Sequence, residues 1–90
     1  MQIRPEYHLQ ELGDDHLVIG RPAATQTKER RVVRLNASAA FLWRSVEAKE
    51  FTVETLSGLL REEYGLDAAV AAADAASIAA AWVKAGLVDE

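Results

Sequence analysis

Residues 35–43 read Leu35-Asn36-Ala37-Ser38-Ala39-Ala40-Phe41-Leu42-Trp43, and their order predicts a strand that runs directly into a helix. Before Asn36 the chain is basic and β-branched, and its side chains alternate between two faces with the period of a strand. After Asn36 the apolar residues recur at helical spacing. Asn36 is the expected N-cap, because its side chain can accept a hydrogen bond from a backbone N–H of the first helical turn.

Three strands are predicted on the N-terminal side of this junction. Residues 7–12 and 16–19 flank Gly13-Asp14-Asp15, whose residue types suit the tight turn of a hairpin. Residues 21–28 contain Pro22 and show no periodicity, so they are expected to form a loop. The third strand is expected at about Arg30 to Leu35, which makes the three strands an antiparallel meander.

Three helices are predicted on the C-terminal side. The first follows Asn36 and ends near Glu47. The second begins after the N-cap Thr52 and ends at Gly65, with an expected buried stripe of Leu56, Leu59, Leu60 and Tyr64. The third is expected to be capped by Asp67, to run to about Ala85 and to stop at Gly86. The predicted fold class is therefore α+β, a three-stranded antiparallel sheet followed by three helices, similar to a winged helix-turn-helix.

The composition describes one small domain, residues 1–90, with a formal net charge of −4 and no cysteine. Cysteine-free chains cannot form disulfides or thiolate metal sites, which fits a reducing cytoplasm. No stretch approaches the ~20 apolar residues of a membrane span, so we expect no membrane association. Residues 1–35 carry six Lys/Arg and five Asp/Glu, whereas residues 36–90 carry four and nine. Such an acidic C-terminal half argues against nucleic acid as a partner.

Catalytic and metal-binding patterns are missing from the sequence. His8 and His16 lie on the two predicted hairpin strands and could be cross-strand neighbours, but no third ligand accompanies them. Neither a phosphate-binding glycine loop nor the setting of a nucleophilic serine is present. We therefore expect a binding module that is not an enzyme and needs no cofactor.

Several short patterns, taken in order, resemble the PqqD family of peptide chaperones, the recognition elements of ribosomally made and later modified peptides. The resemblance covers nearly the whole chain and is strongest at residues 35–43. It continues at Thr52-Val53-Glu54 and through residues 59–64. Further matches are Asp67, Asp74 and the closing Ala85-Gly86-Leu87.

This resemblance implies that the chain binds the leader segment of a precursor peptide and delivers it to a modification enzyme, often a radical SAM protein. In the family, the leader adds as a strand to the edge of the third strand and packs against the third helix. Carried over to this sequence, the expected peptide-binding residues are Arg30, Arg31, Val32, Val33, Arg34 and Leu35 on the strand, with Val70, Asp74, Ile78 and Ala81 on the helix.

The residues leave three points open. The groove-facing row of the third helix is either the one just given or the row Ala73, Ala76 and Ala80. A winged-helix DNA-binding regulator is the alternative function, although its recognition helix would need side chains that reach base edges, and this helix is mostly alanine. An exposed third strand also makes a homodimer through that edge a possible assembly.

Overall fold

The computed structural model describes residues 1–20 and 31–90. The strands are β1 (Gln2–Ile3), β2 (Tyr7–Leu12), β3 (Asp15–Gly20), β4 (Arg31–Leu35) and β5 (Val88–Asp89). The helices are α1 (Ala37–Val46), α2 (Val53–Tyr64) and α3 (Ala68–Lys84). Both the loop predicted at residues 21–28 and the candidate site residue Arg30 lie outside the described residues.

The predicted meander is confirmed, with β2, β3 and β4 pairing in that order and antiparallel. In the centre of the sheet Val18 stands between Leu9 on β2 and Val33 on β4, and it is completely buried. This inner face packs on the core that the helices complete. The α+β class is therefore correct, and the likeness to a winged helix is a loose one.

A second, two-stranded sheet joins the chain ends and was not predicted. Ile3 of β1 pairs with Val88 of β5, and both side chains are buried. The Arg4 side chain adds an ion pair to Asp89 at 2.9 Å. Strands of two residues are too short to show a periodic pattern, so they could not be recognised from the sequence.

Two of the three predicted helix caps have the expected side-chain hydrogen bond. Asn36 accepts from the Ala39 N–H at 2.8 Å, and Thr52 exchanges hydrogen bonds with Thr55 in a capping box. The third prediction is wrong in this respect, since Asp67 occupies the N-cap position but makes no side-chain cap hydrogen bond. Its carboxylate stays exposed and can still interact favourably with the helix dipole.

Three aromatic rings at the centre of the core hold the helices together. Trp82 of α3 meets Trp43 of α1 with ring centroids 5.3 Å apart at 78°. It also meets Phe51, which precedes α2, at 6.0 Å and 83°. Both are edge-to-face arrangements, which aromatic quadrupoles favour. The prediction that Tyr64 is buried is wrong, because its side chain is 46% exposed and packs beside Phe41 at the margin of the core.

Alanine on α3 forms the buried side of the longest described helix. Ala71, Ala75 and Ala79 are buried beside Trp82, since helical spacing puts these four side chains on one face. Small side chains let α3 approach α2 closely. None of the helices in residues 1–20 and 31–90 combines the length and the apolar composition that a membrane span requires.

Two glycines give opposite predictions for substitution by alanine. A Cβ on Gly20 would overlap the Glu6 carbonyl oxygen and lie 2.7 Å from the Tyr7 ring, whereas a Cβ on Gly58 of α2 would meet nothing within 4 Å. Gly20→Ala should lower the free energy of unfolding by about 3 kcal/mol through overpacking. Gly58→Ala should raise it by about 0.5–1 kcal/mol, because alanine favours the helix and restricts the unfolded chain. Urea denaturation of both variants measures the two changes in unfolding free energy. Equal changes would contradict the close packing of Gly20 against Glu6 and Tyr7.

Candidate functional site

Strand β4 is an edge of the three-stranded sheet. In the part of the chain that the structure describes, it pairs with β3 alone. Alternate residues of an edge strand turn both N–H and C=O away from the sheet, where they can pair with another strand. Because β4 leads straight into α1 through the Asn36 cap, its position is fixed at that end by the helix.

The side chains of β4 divide between the two faces as the sequence predicts. Val33 is half-buried and Leu35 is buried, so they lie on the inner face. Val32, 56% exposed, and Arg34 lie on the outer face. Arg34 is within 3.8 Å of Asp15, but both side chains are largely exposed and the pair contributes little to stability.

Arg31 connects the start of β4 to the end of α3. Its Nη1 lies 3.6 Å from the place that a Cβ on Gly86 would occupy. Gly86 follows the α3 C-cap and has a φ of 75°. A helix C-terminus carries partial negative charge, so a guanidinium here is favourable. The start of β4 and the C-terminal end of α3 are therefore neighbours.

The two candidate rows of α3 lie on different flanks of the helix. Ala76 and Ala80 line an open apolar groove of about 540 Å³ together with Met1 and Val53. Helical periodicity turns the other row, Val70, Asp74, Ile78 and Ala81, to the opposite flank. In the row that contains Val70, Ile78 is half-buried and the other side chains are exposed, Val70 by 48%. Ala73, which belongs to the row with Ala76 and Ala80, is also exposed.

The two histidines do not form a pair. In the β2–β3 register His8 stands opposite Ile19, and His16 stands opposite Glu11. They are therefore not cross-strand neighbours, because the odd offset puts them on opposite faces of the hairpin. His16 Nδ1 is 3.4 Å from Glu11, which also pairs with Arg44. Within residues 1–20 and 31–90 no three His, Cys, Asp or Glu side chains come together as a metal site.

Sequence reasoning missed the proximity of the Arg31 side chain to Gly86 and the groove beside Met1. Both join segments more than fifty positions apart, and only the assembled fold brings them together. The sequence does show Gly86 just beyond α3. A helix stop is a sufficient reason for a glycine there, so Gly86 did not indicate a neighbouring side chain.

A comparison with family models identifies the chain. The model of the PqqD family, described as coenzyme PQQ synthesis protein D, matches residues 25–88. The chain belongs to the PqqD family. The match includes β4 and all three helices, the elements that carry the candidate site. Searches of the curated proteins and of the solved structures found no significant match.

PqqD domains are non-catalytic recognition elements that bind ribosomally made precursor peptides and act with modifying enzymes. Membership therefore gives this chain a precursor-binding, chaperone role. Nothing in the fold or in the comparisons supports the alternative of a DNA-binding regulator. The exposed side of α3 carries Asp74, Ser77 and Lys84 among alanines, which is a poor set for reading base edges.

Proposed function

We propose that this PqqD-family domain binds the leader segment of a precursor peptide as an extra strand on the free edge of β4. The bound peptide is then presented to a modification enzyme, for example a radical SAM protein. Since precursor peptides are made on ribosomes, the proposed place of action is the cytoplasm.

One observation carries the proposal, which is that β4 lies within the family match and is an edge strand in the described part of the sheet. Strand addition takes its affinity from main-chain hydrogen bonds and its specificity from pockets for alternate side chains. The edge of β4 that pairs with none of the described residues would supply the hydrogen-bonding groups, and alternation along the added strand would decide which of its side chains turn toward α3.

On the α3 side we propose that the flank with Val70, Asp74, Ile78 and Ala81 lines the groove. The other row is less suitable, because Ala76 and Ala80 face Met1 and Val53. Arg31 Nη1 lies near Gly86, so the start of β4 is directed toward the C-terminal end of α3, where the added strand would pass. In this arrangement Val70 and Ile78 would contact apolar leader side chains, and Val33 would contribute from the strand.

Positive charge on β4 suits an acidic leader. Arg34→Glu should weaken the binding of an acidic leader by about fivefold at low salt, equivalent to about 1 kcal/mol. The loss should shrink as salt is added, because exposed charges are screened. Lys49→Glu is the matched control, as it makes the same charge change in the exposed loop after α1. Equal losses in the two variants would show a general charge effect and contradict a role for Arg34.

Calorimetric titration tests the proposed function. The domain is titrated with the synthetic leader of a short peptide encoded beside its gene, and duplex DNA serves as the control. Micromolar or tighter binding to the peptide, with none to DNA, is expected. Binding to DNA alone would overturn the proposal.

A further inference from the structure

Helix α3 carries one charged side chain between its two ends, the carboxylate of Asp74, and its last residue is Lys84. The Asp74 side chain is exposed. Within residues 1–20 and 31–90 its carboxylate has no ion pair and no hydrogen bond. Arg31 lies too far away to neutralise it, because the Arg31 side chain is near Gly86, roughly 18 Å further along the helix axis.

The structure of α3 itself gives no reason for an aspartate at this position. A short carboxylate competes for backbone hydrogen bonds, so aspartate is a poorer helix former than the alanines around it. Asp74 is also too far from the N-terminus of α3 to gain from the helix dipole, whose effect is confined to the first turn. The side chains three and four positions away include no cation, being Val70, Ala71, Ser77 and Ile78.

Asp74 lies at the centre of the flank that we propose for the leader. Along the helix, Val70, Asp74 and Ile78 follow each other at intervals of about 6 Å. In an extended strand, the side chains on one face follow each other at about 6.8 Å, because every second residue faces the same way. An added strand that runs along α3 therefore brings three successive inward side chains next to these three residues, one to each.

We propose that the leader carries a lysine or arginine that pairs with Asp74, between two apolar residues that contact Val70 and Ile78. The pattern in the leader is then apolar, any residue, basic, any residue, apolar. A lysine or arginine suits the middle position, because its carbon chain can lie on the apolar side chains while its charged group reaches the carboxylate. This pairing deepens the proposed function and rests on it.

Arg34 and Asp74 then select opposite charges on opposite faces of the leader. Arg34 lies on the outer face of the sheet, whereas the helices cover the inner face. Because the faces alternate along a strand, the acidic residue that meets Arg34 and the basic residue that meets Asp74 are an odd number of positions apart. A leader with the two signs exchanged meets a like charge at both places, which disfavours its binding.

Calorimetric titration at low salt tests the pairing, with the synthetic leader of a short peptide encoded beside the gene. Asp74→Asn should weaken leader binding about fivefold, which is the effect of losing one exposed ion pair. Asp74→Lys should weaken it at least tenfold, because a repulsion is added to the loss. Added salt should reduce both effects. Thermal unfolding should show no loss of stability in either variant, since aspartate adds nothing to the helix.

An exchange of charges gives the specific signature. Each lysine or arginine of the leader is replaced by glutamate in turn, and every leader variant is titrated into the wild type and into Asp74→Lys. One leader variant should lose affinity for the wild type and bind Asp74→Lys more tightly than it binds the wild type. That variant identifies the leader residue that meets Asp74.

Asp67→Asn is the matched control, because it removes the same charge from an exposed position of α3 that makes no side-chain cap hydrogen bond. Its leader affinity should stay close to that of the wild type. Equal affinities of the wild type and both Asp74 variants, or equal losses in Asp67→Asn and Asp74→Asn, would overturn the pairing and leave the proposed function standing. A leader that binds without any lysine or arginine would do the same. A leader that binds none of the proteins would overturn both.

Discussion

Trp82→Ala should lower the free energy of unfolding by about 3–5 kcal/mol. Trp82 is 2% exposed and packs edge-on against both Trp43 and Phe51, so its removal leaves a cavity where α1, α3 and the segment before α2 meet. A domain of this size has a total stability of about 5–15 kcal/mol, and the variant would lose a large part of it. Guanidinium denaturation monitored by circular dichroism measures the change.

Tyr64→Ala is the matched control, because it also removes an aromatic ring from a helix. Tyr64 is 46% exposed, and its ring meets that of Phe41 in an edge-to-face arrangement. Its loss should cost about 1 kcal/mol. Similar costs for the two variants would show that Trp82 is not the centre of the core.

Proline substitutions at neighbouring positions of β4 should have opposite effects. Along an antiparallel edge strand, one residue directs its N–H to the paired strand and the next directs it outward. Of Val32→Pro and Val33→Pro, one should therefore remove a bond to β3 and lower stability by about 1–3 kcal/mol. The other should leave stability nearly unchanged but weaken leader binding at least tenfold, equivalent to about 1.4 kcal/mol.

Alanine variants at the same two positions control for the loss of each valine side chain. Thermal unfolding and leader titration are measured on all four proteins. If the proline variant that keeps its stability also keeps its leader affinity, strand addition at β4 is wrong.

Local patterns in the sequence were enough to predict most of the fold. Turns, helix caps and helix stops depend on residues that are adjacent in the sequence, so a single sequence is enough to recognise them. Examples are the turn at Gly13, the caps Asn36 and Thr52, and the stops at Gly65 and Gly86. Tyr64 was misassigned because helical spacing shows which side chains share a face but not where the core ends. β1 and β5 escaped prediction because their pairing depends on the meeting of the chain ends.

The candidate site was less accessible to sequence reasoning. Alternation along β4 correctly grouped Val33 with Leu35 on one face and Val32 with Arg34 on the other, and burial in the structure identifies the first face as the inner one. Helical periodicity could not decide between the two candidate rows of α3. Alanine occupies nearly every position of that helix, so its faces show no amphipathic contrast. The structure separates them through the groove that Ala76 and Ala80 share with Met1.

Amide hydrogen exchange along β4, with and without the leader peptide, tests strand addition most directly. In the free protein the amides bonded to β3 should exchange slowly, and the outward amides between them should exchange fast. Leader binding should slow the outward amides of residues 31–35 as they acquire main-chain partners. A leader that binds while these outward amides keep their fast exchange would contradict the account.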